Sequence, residues 1–264
     1  MKFNKIINLV IVSFLLVFSA CESIVDEEYL KNTTDVAGVE LIATQSTPGG
    51  NEITLDLVTP GINGYWDYNL GKALTDKITF IYPIPGTATF TFTGTLGGEF
   101  FTKTIDVQID QLDHALDQDW YDLVSEDTAT GKTWVYNGTP GNGNFWFMSA
   151  PGGTENAYTL WWNAGDCCSP DPNGKMHFDL NGAANYTYYS DAGAVGASGS
   201  FVLDVTNQKL QINDQPLLGG NRTGGAGNSD GIYQIVSLTE DELVLYVSSS
   251  EVYGTGWTWV FKPE

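Results

Sequence analysis

"TLWWNAGDCCSP", residues 159–170, gathers several kinds of chemistry in one short stretch. Trp161 and Trp162 stand side by side. Cys167 and Cys168 are adjacent, and Asp166 precedes them. In an oxidising compartment two neighbouring thiols can close a vicinal disulfide. The Cα spacing across a trans peptide, about 3.8 Å, lies below the usual disulfide range, so such a bond forces a tight turn. Two free thiols are the alternative. A thiolate metal centre would need further ligands, and His114 and His177 are the only histidines, far apart in sequence. Asp166, Asp171 and Asn173 supply oxygens at a spacing that can hold Ca²⁺. The same "PDPNG" also reads as a plain turn. Apart from that calcium ion, no cofactor is expected.

The tryptophans suggest sugar chemistry. The C–H-rich face of a pyranose stacks on an indole, and Asn163 and Asp166 can bond its hydroxyls. Neighbouring strand residues point to opposite faces. One of Trp161 and Trp162 must then face outward unless both faces are covered. The same parity sets Trp146 opposite Phe145 and Phe147 in "NFWFM". Two readings stand: an exposed stacking platform, or core residues under a covering segment. Trp257 and Trp259 alternate with Thr258 and Val260, so they read as core, as does Trp134.

The elements that must position these residues are strands. The chain is rich in Gly, aromatic and β-branched residues, and only 16% of it is charged. This predicts an all-β protein. Alternating runs separated by turn signals begin at Val36 and resume after Gly131. Between them, "DQLDHALDQDWYDL" places Leu112, Leu116 and Trp120 at a helical spacing. The predicted organisation is a first β domain over 36–110, a linker with a helical turn over 111–130, and a larger antiparallel β-sandwich or jelly roll over 131–264.

Lys2 and Lys5 precede an apolar run, Ile6–Phe18, too short for a comfortable membrane span. Small residues then lead into Cys21. The pattern resembles a bacterial lipobox, although Phe18 stands where Leu is usual. It implies a signal peptide over 1–20 and a mature chain lipidated at Cys21, exported to where disulfides persist. The acidic tether over 21–35, "CESIVDEEYL" at its start, resembles the surface-export signal of Bacteroidota lipoproteins. The formal charge of −21 repels nucleic acid and anionic membrane surfaces. Without a basic patch, it also disfavours acidic polysaccharides.

Two further resemblances cover most of the rest. Trp66, Asp67, Tyr68 and Gly71, then Tyr82, Pro85, Gly86 and Thr87, then Thr104–Ile109 follow the order of the polycystic-kidney-disease (PKD) domain. That family is a small immunoglobulin-like sandwich that acts as a spacer. Lys132–Val135, Gly138–Asn144, Trp161–Trp162, His177–Gly182, Tyr233–Leu245 and Trp257–Pro263 resemble the C-terminal domain of Bacteroidota lipoproteins from polysaccharide-utilisation loci. The resemblance implies an outer-membrane, cell-surface glycan-binding protein beside a TonB-dependent transporter complex, taking a polysaccharide or oligosaccharide and no nucleic acid.

Two other classes compete. A glycoside hydrolase or lyase-like enzyme on a β-sandwich needs paired carboxylates flanking the scissile bond. No E-x-D-x-x-E strand occurs in the chain, so the expectation is a non-catalytic binder of a neutral glycan. An adhesin-like structural lipoprotein would bind protein instead. Replacing the lipidation residue (Cys21→Ala) is expected to release the protein into the soluble fraction on cell fractionation. Unchanged membrane association of that variant would contradict the lipobox reading.

Overall fold

The computed structural model describes residues 36–138, 145–164, 168, 171–220 and 227–264. The expectations for the leader, Cys21, the acidic tether, Asp166 and Cys167 lie outside the described residues. Within them the chain is predominantly β, as its composition predicts, and no helix is long and apolar enough to cross a membrane.

The first strands form two antiparallel sheets. β1 (Leu41–Gln45), β2 (Glu52–Leu57) and β5 (Lys77–Ile81) align in the order β1-β2-β5. β3 (Asn63–Asp67), β4 (Lys72–Ala73), β6 (Gly86–Leu96) and β7 (Glu99–Ile109) align as β4-β3-β6-β7. The period of two decides what is buried: Ile53, Leu55 and Leu57 on β2, and Ala88, Phe90 and Phe92 on β6. The sheets meet face to face through Phe80 and Phe90, whose rings lie 5.4 Å apart, edge to face. Trp66 is fully buried, packs on Phe92, and donates its indole N–H to the Asp76 carbonyl. Gly64 is required here, because a Cβ would come within 2.5 Å of the Phe92 ring.

The connecting segment does more than link. It folds into helix α1 (Gln118–Val124), which buries Trp120, Leu123 and Val124. The indole of Trp134 donates to the Leu123 carbonyl at 2.9 Å, and Lys132 reaches the carbonyls of Asp122 and Glu240.

The remaining strands are β8 (Lys132–Tyr136), β9 (Trp146–Ser149), β10 (Lys175–Asp179), β11 (Asn185–Tyr189), β12 (Ala197–Asp204), β13 (Lys209–Asn213), β14 (Ile232–Leu238), β15 (Leu243–Val247) and β16 (Gly256–Pro263). From β10 to β16 each strand pairs antiparallel with the next, β16 also pairs with β8, and β8 pairs with β10. The ring therefore closes on eight strands, with β9 carried on the β16 edge beyond β8. This corrects the expected sandwich or jelly roll. Alternation along a strand is the same in both architectures. The pairing of β16 with β8, which distinguishes them, joins residues more than a hundred positions apart. An eight-stranded barrel is just wide enough for side chains to fill it. Trp134, Phe178, Tyr186, Tyr233, Trp259 and Phe261 do so, all nearly inaccessible to solvent.

The two ends of the barrel differ. At one end the turns 180–184, 205–208 and 239–242 are short, and α1 packs there. At the other end the connections are longer in sequence: those between β8 and β9, β9 and β10, β11 and β12, β13 and β14, and β15 and β16. Long loops on a rigid scaffold are where binding residues concentrate. Trp120→Ala is expected to destabilise the fold by about 3–5 kcal/mol, read as a lower urea midpoint with an unchanged m-value. A loss under about 1 kcal/mol would show that α1 is only a connector.

Candidate binding site at the barrel mouth

The long-loop end is built around β9. Its partners in register are Trp259 for Trp146, Thr258 for Phe147 and Trp257 for Met148. Trp146 therefore shares the inward face of Trp259. It is 7% exposed and stacks on Trp257 at 5.4 Å and 29°. Phe147 takes the outward face together with Ser149, Thr258, Val244 and Tyr246, yet all five are buried. The chain after β9 folds back over them. Thr258 donates to the Ala157 carbonyl at 2.6 Å, Tyr246 donates to the Ala150 carbonyl at 2.6 Å, and Ser149 bonds Thr258.

Trp146 is thus a core residue and presents no open ring face. Strand parity separates Trp146 from Phe147 here, but it does not hold for Phe145, and it carries no information about a later segment covering one face. Phe145, in the bend before β9, is also core and packs on Tyr136.

Trp161 and Trp162 are different. They sit at the end of the covering segment, where Met148 N–H donates to the Trp162 carbonyl and Trp161 N–H donates to the Met148 carbonyl. This single bridge fixes their backbone against β9. Both side chains reach solvent, at 54% and 44% exposure, and the preceding Tyr158 and Leu160 are exposed as well. Trp162 rests one edge on Trp257, 6.1 Å away at 85°. A graded aromatic column results, from the core through Trp146 and Trp257 to Trp162 in solvent. The indole N–H groups of Trp146, Trp257 and, within the barrel, Trp259 are buried and have no acceptor among the described residues. Such orphan donors are uncommon in protein interiors.

Asn163 follows, half-buried, and then Ala164, whose carbonyl accepts from Cys168 N–H at 2.8 Å. Cys168 is exposed and disulfide-bonded. Its expected partner, Cys167, lies outside the described residues.

The segment then dives inward at Asp171, which is 5% exposed. Its Oδ1 accepts from the Tyr136 hydroxyl at 3.2 Å and from Gly219 N–H at 2.9 Å. Its Oδ2 accepts from the Tyr188 hydroxyl at 2.7 Å. Gly219 has φ +73°, and a Cβ there would fall 2.0 Å from the Tyr136 hydroxyl, so this approach needs glycine. One carboxylate thereby ties the 164–174 connection to β8, β11 and the 214–220 loop. Burial pushes the Asp171 carboxyl up, and the bonds from Tyr188, Gly219 and Tyr136 only partly offset it. Burial, and then Asp171 itself, push the Tyr188 hydroxyl well above its usual range.

Of the expected calcium ligands, Asp171 thus spends both oxygens on protein donors, and Asn173 is exposed. Among the described residues, no group of three or more His, Cys, Asp or Glu side chains is placed to hold a metal ion. Tyr136, Tyr188 and Gly219 were not singled out in the sequence. A carboxylate between two prolines gives no local sign that it will be buried.

Comparison with protein-family models finds no match, and comparison with curated proteins finds none either.

Folding favours the protonated Asp171 carboxyl, so its contribution is fully present below the ordinary carboxylate range, near about 3.9. It is lost as pH rises through the higher folded-state value. Asp171→Asn is neutral at every pH and removes that dependence. Urea midpoints between roughly pH 4 and 7 are expected to fall with rising pH more steeply for the wild type than for the variant. Parallel curves would contradict the assignment.

Proposed function

We propose that this chain is a lipid-anchored cell-surface protein that captures a neutral polysaccharide without cleaving it. In this reading the first two sheets are an immunoglobulin-like, PKD-type spacer, and the barrel mouth is the binding end, serving an outer-membrane uptake system. The observation that carries the reading is the pair of adjacent exposed tryptophans, Trp161 and Trp162, held by backbone bonds at the long-loop end. A fixed backbone lowers the ordering cost of binding. The disulfide at Cys168, which we assign to Cys167, stiffens the same connection a few residues on.

The hydrolase alternative requires two carboxylates flanking a bond. Asp171, the buried carboxylate beneath the mouth, is enclosed by donors from Tyr136, Tyr188 and Gly219. This arrangement favours the binder.

Affinity electrophoresis of the non-lipidated mature chain through gels containing glucan, mannan, xylan or galactan tests the reading. Aromatic stacking on nucleic-acid bases, taken as an analogy, is worth roughly 1–3 kcal/mol per contact. Trp161→Ala and Trp162→Ala are therefore each expected to weaken retardation about tenfold or more while leaving the melting temperature unchanged. Trp146→Ala is expected instead to destabilise the barrel by about 3–5 kcal/mol. Full retardation of folded Trp161→Ala and Trp162→Ala would rule the platform out.

A further inference from the structure

A second recess lies at the opposite end of the barrel, where the first two sheets meet it. It is a cleft of about 420 Å³ between β5 and the segment after β3 on one wall and the β12–β13 turn on the other. The start of α1 also lines it. We propose that this cleft binds a small organic cation, an ammonium group carried on an apolar body.

The size and position suit a ligand. Pockets for small molecules run to several hundred cubic ångströms and favour junctions between structural units. The walls are aromatic: Tyr68, Phe80 and Trp120 line the cleft, with Tyr68 and Phe80 packed 4.8 Å apart. Glu52, Asp117 and Asp204 line it too, Asp204 also accepting from Asn207 with both oxygens, and among the described residues no lysine or arginine does. His114, which stands 3.6 Å from Glu52, is the nearby titratable base. An anion would be repelled. A neutral apolar molecule would strip water from the carboxylates and give nothing back. An ammonium group compensates the carboxylates and is drawn to the aromatic faces as well.

Asp117 adds a separate observation. It stands at the N-cap of α1, a position where Asp normally bonds the first turn, yet it makes no capping hydrogen bond. A local preference is forgone at a residue that lines the cleft. The two walls also sense each other. The Tyr68 hydroxyl is pushed up first by burial and then by Asp204, which belongs to the barrel.

Titration calorimetry of the mature chain with choline and with n-butylammonium tests this. The uncharged carbon isostere of choline, 3,3-dimethylbutan-1-ol, and glucose serve as neutral probes. At least one cation is expected to bind, about tenfold or more tighter than the isostere, and more weakly as salt rises. Glu52→Gln with Asp117→Asn, two near-isosteric changes, is expected to weaken that binding by about tenfold without lowering the melting temperature. Trp161→Ala and Trp162→Ala at the far end are expected to leave it unchanged, so this site and the mouth stand or fall separately. Absence of binding by both cations, equal binding of the isostere, or binding of glucose alone would overturn the proposal. The comparison of probes on the wild type decides the matter even if the double variant is unstable.

Discussion

The barrel depends on how the last strand shares its two edges. Along one edge β16 pairs with β15, from Leu243↔Phe261 to Val247↔Trp257. Along the other it pairs first with β9, Gly256↔Ser149 to Trp259↔Trp146, and then with β8, beginning at Phe261↔Tyr136. Two strands thus occupy one edge in succession. The chain between them leaves the ladder after Asn137, whose N–H donates to the Val260 carbonyl, and returns at Phe145, whose carbonyl accepts from Val260 N–H.

The mouth follows from that geometry. Because β9 runs past β8, its outer face needs cover, and residues 150–160 supply it through Ala150 and Ala157. The covering segment must then climb back beside Met148, which puts Trp161 and Trp162 at the rim in a fixed backbone setting. Asp171 completes the return by anchoring the connection to β8 and β11 before β10 begins. The exposed rings and the buried carboxylate are consecutive results of one path. At the other end, short turns and α1 leave little freedom, and the cleft there comes from apposition of two units.

How much of this can be read from the chain depends on the range of the interaction. Strand alternation is local, so the burial of Ile53, Leu55 and Leu57, or of Trp257, Trp259 and Phe261, can be read directly. So can Trp66 as a core residue. Barrel closure is not local: β8 and β16 carry no mark that they pair. Trp146 shows the same limit on a smaller scale. Its parity relative to Phe147 is legible, but which face is inward depends on β16, and the covering of the other face depends on Ala157. Asp171 needs three partners from three separate elements, and no spacing in the sequence announces them. Trp161 and Trp162 were legible as a candidate pair because two large aromatics in succession are hard to bury together.

Tryptophan indole N–H resonances test the central claim without altering a residue. The chain has eight tryptophans, and Trp66 and Trp134 are fully buried. The protein is titrated with neutral gluco-, manno-, xylo- and galacto-oligosaccharides and followed by ¹H–¹⁵N correlation spectra. The account predicts that the binding sugar moves the signals of Trp161 and Trp162 and leaves those of Trp66 and Trp134 in place. A sugar that binds while the Trp161 and Trp162 signals stay fixed would contradict it.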